Sequence, residues 1–257
     1  MLKSSSFVWK DRLRASAIHF CISAAIAFLA ALLVFFVWYP DPYREISGGR
    51  ELFLILVSVD VVLGPLITLA IFDRAKPWRV LRRDLAVVGL IQLAALGYGM
   101  WTVFLARPVH LVFEFDRFRV VHAVDVPEEM LDQTPAGVDA LPLTGPTVLA
   151  VRLFRDSEES MEATLAALGG VHLSARPDLW QAYADARPRV LQVARPVSEL
   201  SKRFPESVAQ IDEAIARTGR SSDSLLSLPM VGRSSTWTVL LDATTTEVVG
   251  FLPLDSF

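Results

Sequence analysis

The sequence contains one cysteine, Cys21, in 257 residues. Neither a disulfide framework within the chain nor a Cys-rich zinc module can be built from it. Histidine is almost as scarce. His19, His110, His122 and His172 are the only four, and none stands in an HExxH or a close His/Cys pair that would hold a metal. The chain has no G-x-S-x-G, no P-loop and no G-x-G-x-x-G. Gly97-Tyr98-Gly99 is a short G-x-G inside an apolar run, where close helix packing explains it better than phosphate binding. Charged residues make up 21% and the net charge is −3. That excludes a strongly basic nucleic-acid-binding chain and a disordered, highly charged one. No cofactor and no nucleic-acid partner are expected.

Apolar residues are plentiful: 53% of the chain, against roughly 45–50% in a typical soluble domain. Charge is divided unevenly. Residues 1–105 carry 11 Lys/Arg and 7 Asp/Glu, net +4, and residues 106–257 carry 14 and 21, net −7. The chain therefore reads as a membrane domain, 1–105, followed by a second domain, 106–257.

Three apolar stretches fill the first part: Ala17–Trp38, Leu52–Phe72 and Leu85–Leu105. At about 1.5 Å per residue each can cross a hydrocarbon core of about 30 Å. The first is too long for a signal-peptide core and ends in Trp38-Tyr39-Pro40, an interfacial aromatic cluster without a small-x-small cleavage site. It reads as an uncleaved anchor. The N-terminal segment carries Lys3, Lys10, Arg12 and Arg14, and the loop 73–84 carries Arg74, Lys76, Arg79, Arg82 and Arg83, whereas the loop 40–51 is acidic on balance. Positive charge stays in the cytoplasm. The expected topology is a cytoplasmic N-terminus and second loop, with the first loop and residues 106–257 outside, in the periplasm of a Gram-negative host. A lone cysteine within the membrane suits an oxidising outer compartment.

Asp60 is the costliest residue of the membrane domain. It lies eight residues past Leu52, about 12 Å along the helix, where an acid costs about 2.5–3.5 kcal/mol on insertion scales. Asp60, Gly64 and Thr68 share one helix face, as do Gln92, Ala95 and Gly99, and Ser23, Ala27 and Ala30. Small and polar faces of this kind pack membrane helices closely. Pro65 interrupts the second helix and frees a carbonyl near Asp60. Two readings of Asp60 stay open: a hydrogen bond to Gln92 or Tyr98 inside the bundle, or contact with a partner helix or proton path. A transporter is not indicated, because three helices without a second repeat offer little cavity.

In the second domain, residues 110–126 (HLVFEFDRFRVVHAVDV) alternate over Leu111, Phe113 and Phe115 and read as strands. Residues 127–146 read as a loop and 147–154 as a further strand. Asp156 or Ser157 caps a helix that runs to Leu168 and stops at Gly169-Gly170; a short helix is expected over 177–186 and a better one from Pro205 to Arg217, closed by Gly219. Residues 236–242 and 247–254 form a C-terminal β-hairpin across a turn at 243–246. The expected class is a membrane protein with three transmembrane α-helices followed by a small α+β extracytoplasmic domain.

Glu114 and Asp116 share a face of a regular strand, but Arg117 and Arg119 make them an ion network rather than a catalytic pair. The run 156–162 (DSEESME) reads as a solvated helix start, His110 and His122 have no metal-specific spacing, and no catalytic residue is assigned. Trp237, Phe251 and Phe257 are core or tail residues, with docking as the alternative. Polar contacts of the loop 40–51 are a further candidate for holding the outer domain.

The elements Arg14–His19, Val37-Trp38-Tyr39-Pro40, Val59–Leu69 (VDVVLGPLITL), Arg83–Val87, Gln92–Gly99, Arg107-Pro108-Val109 and Val112–Phe118 (VFEFDRF) together form a pattern. It resembles the type IV pilin accessory proteins of the TfpX/TfpZ kind, over roughly residues 12–123. The resemblance implies a non-enzymatic inner-membrane factor for type IV pilus assembly or dynamics that works on a cognate major pilin, with inner-membrane pilus machinery and membrane lipid as further partners. It transfers no catalytic residue set. On this reading the face bearing Asp60, Gly64 and Thr68, with Gln92 and Gly99, receives the pilin helix, and residues 106–257 touch the pilin head. A membrane-anchored sensor and a membrane enzyme acting on pilin or lipid are the alternatives.

Overall fold

The computed structural model describes residues 5–257, with side chains from Trp9 onward. Its first unit comprises the stretch up to Val37 and Gly49–Leu105; its second comprises Trp38–Gly48 and Ala106–Phe257. Three helices of the described chain are long and apolar enough to cross a membrane: Trp9–Trp38, Gly49–Ile71 and Trp78–Leu105. This is a membrane protein with three spans and a small α+β domain.

The first span is α1 (Ser5–Leu33), which widens into a π-helical turn at Val34–Trp38. A one-turn helix, α2 (Tyr43–Ile46), follows in the connector. The second span is built from α3 (Gly49–Ser58), a π-helical turn over Val59–Leu63, and α4 (Gly64–Ile71). The third is α5 (Trp78–Leu105). Large apolar side chains such as Phe28, Leu29, Leu90 and Ile91 stand exposed along the spans, as a lipid-facing surface requires. At one end, Arg74 pairs with Asp11 and Lys76 with Asp84.

The second unit is one mixed sheet with helices on both faces. Its strands are β1 (Pro108–Glu114), β2 (Arg117–His122), β3 (Thr147–Val151), β4 (Trp180–Ala182), β5 (Arg195–Pro196), β6 (Leu225–Val231), β7 (Thr236–Asp242) and β8 (Val248–Leu252). The order is β4-β3-β1-β2-β6-β7-β8, with β5 on β6. The β1–β3 and β2–β6 pairs are parallel; the others are antiparallel. The helices are α6 (Ser157–Leu168), α7 (Arg187–Val193), α8 (Val197–Arg203) and α9 (Val208–Thr218). Every residue of β1 is buried, because both sheet faces are covered. Leu111, Phe113, Phe118 and Met230 pack with Val190 on one face; Val112, Val121 and Leu149 pack with Ala163 and Trp180 on the other. Ile211 and Ala214 of α9 close a third cluster against Leu225, Leu240 and Leu252.

Local signals place several elements as expected. Asp156 caps α6 by accepting from the Glu159 amide at 2.8 Å, and Gly219 takes the left-handed conformation (φ 67°) that ends α9. The C-terminal hairpin forms across Asp242, whose Oδ1 accepts from the amides of Thr244 and Thr245.

Other expectations change. Residues 177–186 are not a helix but two short 3-10 turns flanking β4. Phe115 and Asp116 form the β1–β2 turn, so Phe115 leaves the face of Phe113 and is 45% exposed. Glu114 and Asp116 therefore share no strand face. Each has its own arginine, Arg119 at 3.0 Å and Arg117 at 2.8 Å. The acidic run 156–162 is not simply solvated, since Glu159 is buried. Arg152 and then Arg155 bond its carboxylate and hold it well below the usual range.

The connector between the first two spans departs most from the 1–105 domain boundary. Trp38–Gly48 belongs with the sheet unit. Ile46 is fully buried, Tyr43 nearly so, and both join the core with Leu111, Phe113 and Leu241. The Ser234 amide donates to the Ile46 carbonyl at 3.0 Å. Gly232 lies so close that any Cβ there would strike Ile46. Apolar burial of Tyr43 and Ile46 thus fixes this connector in the sheet unit, with the Ser234–Ile46 hydrogen bond as a polar contact beside it.

Candidate functional site

Pro65 supplies no amide hydrogen to the carbonyl one turn earlier, and its ring crowds that turn. The second span answers with the π-helical turn Val59–Leu63 immediately before α4, and Asp60 sits in it. Such turns expose backbone carbonyls that neighbouring helices must satisfy. Gln92 of α5 does so: its Nε2 donates to the Asp60 carbonyl at 3.2 Å. Gly64 permits this approach, because a Cβ at that position would collide with the Gln92 carboxamide.

Helix α1 is stitched to α4 by two polar contacts in step. Ser16 Oγ donates to the Pro65 carbonyl at 2.8 Å, and His19 Nδ1 and Thr68 Oγ1 share a hydrogen bond of 2.6 Å. Both pairs are spaced i, i+3, so they lie on facing sides of the two helices. Thr68 belongs to the small and polar face predicted with Asp60, whereas Ser16 and His19 lie outside every predicted site. Their own i, i+3 spacing on an otherwise apolar helix was the available signal.

Asp60 is 8% exposed. Neither of its carboxylate oxygens has a hydrogen-bond partner among the described residues, and Gln92 Oε1 is likewise unpartnered. Asp60, Gln92, His19 and Ser23 line a cavity of about 190 Å³ whose remaining wall is mainly apolar, including Val57 and Leu96. The structure thus brings Asp60, Gly64 and Gln92 into one cluster. Thr68 is engaged by His19, and Gly99 lies against Leu56 instead. Tyr98 is 75% exposed, and the Gln92 bond goes to the backbone of Asp60 rather than to its carboxylate. Three acceptor oxygens are therefore left without a hydrogen-bond partner among the described residues, although Ser23 and His19 line the same cavity. What they can do chemically is accept hydrogen bonds from a donor brought in from outside the bundle.

The polar residues of the sheet unit are mostly self-satisfied. His110 is buried. Burial pushes its imidazole down to about 4, so the neutral ring donates from Nε2 to the Ala140 carbonyl at 3.0 Å and accepts at Nδ1 from Thr147 Oγ1 at 2.7 Å. Its ring meets Trp180 edge-on at 4.6 Å. No cluster of three His, Cys, Asp or Glu side chains able to hold a metal occurs among the described residues.

Comparison with known proteins bears on what this arrangement serves. The chain is 35% identical over 229 residues to "Fimbrial assembly protein, serogroup I" of Dichelobacter nodosus, covering 88% of this chain and 89% of that protein. The chain belongs to the fimbrial assembly protein family. A second relative, the serogroup E1 protein of the same organism, is 34% identical over the same shares of both chains. The protein of serogroups C1 and C2 is 42% identical over 120 residues, 47% of this chain and 89% of its own. The model of the family "Fimbrial assembly protein FimB" matches residues 7–48, the first span and the connector that enters the sheet unit. No solved structure matches. As a fimbrial assembly protein the chain is involved in building fimbriae, and its spans place it in a membrane.

Proposed function

We propose that this fimbrial assembly protein is a non-enzymatic accessory factor for type IV pili, of the TfpX/TfpZ kind, acting on its cognate major pilin in the bacterial inner membrane. The observation that carries the reading is the Asp60 carboxylate, buried in the bundle cavity with both oxygens unpartnered. A carboxyl group held there without a donor is costly and is better explained by an intermittent partner than by folding. Gly64, Thr68, Gln92 and Gly99 serve by holding the three spans so that Asp60 faces the cavity. The pilin's membrane helix enters along this cavity and supplies the donor, and the pilin head meets the sheet unit in the periplasm. One polar contact amid close apolar packing gives a reversible grip. Inner-membrane pilus machinery is a further partner.

The test is crosslinking in living cells, followed by detergent purification and mass spectrometry. Major pilin should be recovered with the wild type and lost with Asp60→Leu. The variant should melt at the same temperature as the wild type or higher, because replacing an unpartnered buried acid by an apolar side chain does not destabilise. Abundant wild-type protein with no pilin attached, or undiminished capture by Asp60→Leu, sinks the proposal.

A further inference from the structure

The sheet unit holds a second built site, unrelated to the cavity between the spans. His122, at the end of β2, is buried, and so is Ser174 in the turn before β4. His122 Nε2 and Ser174 Oγ have no hydrogen-bond partner among the described residues, and both residues line one pocket of about 260 Å³ together with Arg119, Asp125, His172 and Arg233. The rest of the His122 ring is fixed. Its Nδ1 donates to Asp125 Oδ2 at 3.0 Å, the His122 amide donates to the same oxygen, and Arg233 pairs with Asp125 Oδ1 at 2.9 Å. Burial raises Asp125, but the bonds from His122 and the charge of Arg233 outweigh it and hold the carboxyl below its ordinary value. Asp125 is therefore an acceptor only, and it orients the imidazole so that Nε2 is left over.

Carboxylate, imidazole and hydroxyl occur here in the order used by nucleophilic hydrolases. In this structure, however, the hydroxyl and the ring nitrogen do not bond each other, so the geometry of a nucleophile and its base is not formed. Two guanidinium groups, two imidazoles and one committed carboxylate surround the pocket. Arg119 is steadied from behind by Glu114 at 3.0 Å. Leaving two buried polar atoms unsatisfied is costly unless a ligand completes them. We infer that the His122–Ser174 pocket of the sheet unit binds a small oxyanion, a phosphate or a carboxylate. Ser174 Oγ donates to one of its oxygens, and a proton carried by either His122 or the ligand completes the bond at Nε2. Arg119 and Arg233 neutralise the charge.

The full chain in detergent is titrated separately with inorganic phosphate and with acetate, by calorimetry and by thermal melting. One or both should bind saturably and raise the melting temperature of the sheet unit. Saturation by phosphate alone assigns a phosphoryl ligand, and by acetate alone a carboxylate. Ser174→Ala should bind roughly tenfold more weakly, as the loss of one hydrogen bond to a charged group requires. The same variant without anion should melt no lower than the wild type, because its hydroxyl has no partner to lose. His122→Gln should also weaken binding. Absence of saturable binding by both anions overturns the inference. So does unweakened binding by Ser174→Ala, or a lower anion-free melting temperature for that variant, which would reveal a structural partner.

Discussion

Truncating Ile46 to alanine should loosen the sheet unit, although in sequence this residue lies between two membrane spans. Its side chain is fully buried in the core with Phe113, Met230 and Leu241. The change leaves the backbone carbonyl free to keep its bond from Ser234. Only packing is lost, and an Ile→Ala change in a closed core costs about 2–5 kcal/mol. Set against a total of about 5–15 kcal/mol for a domain, that is a large fraction. Hydrogen exchange reads it locally. Amides of β6 and β7, which flank the Gly232–Ser235 turn lying against Ile46, should exchange about 30-fold faster or more, at a factor of ten per 1.4 kcal/mol. The same reasoning requires that a fragment of residues 106–257 alone lack part of its core and fold poorly. Unchanged exchange in β6 and β7 of Ile46→Ala, or a fragment as stable as the intact unit, would refute it by showing that the connector lies on the core rather than in it.

Within the spans, Gly64→Ala should drive the Gln92 carboxamide away from the Asp60 carbonyl and cost about 1–3 kcal/mol by overpacking. Detergent melting measures this, and adding Gln92→Ala should restore part of the loss; equal melting of wild type and Gly64→Ala would count against the packing described. In the sheet unit, His110 stays neutral down to about 4 when folded, against an ordinary value of 6.5. Between these values the unfolded chain binds a proton that the folded chain refuses, so stability is full above about 6.5 and falls as the pH drops toward 4. By pH 4.5 the loss is roughly 2–3 kcal/mol. Denaturant titrations at pH 7 and 4.5 should show this slope in the wild type and a shallower one in His110→Gln, and parallel slopes would remove His110 as its cause.

The residues of this chain determined what depends on neighbours in sequence. Predominantly apolar runs of more than 20 residues, which here include Asp60 and His19, form membrane spans because within a single segment only a helix satisfies its own backbone in lipid. Asp156 and Gly219 set the ends of α6 and α9 by bonds and dihedrals a few residues long. Asp60 stood out by its cost in lipid. The tertiary structure decided everything that depends on distant partners. Strand β6 carries Pro229, which argues against a central strand. It is tolerated because β5 pairs at Leu226 and Ser227 and β2 at Met230 and Val231, leaving the proline in the gap between the two ladders. Residues 177–186 form turns around β4 because that strand pairs with β3, which no local preference announces. Ile46 is core because a fold many residues away closes over it. Asp60 is left without a donor because Gln92 is spent on the carbonyl that the π-helical turn set free, and His122 and Ser174 meet only when β2 and the turn before β4 come together. Local chemistry is written in consecutive residues; an unsatisfied atom is a property of the whole packing, since it exists only once every other partner has been placed.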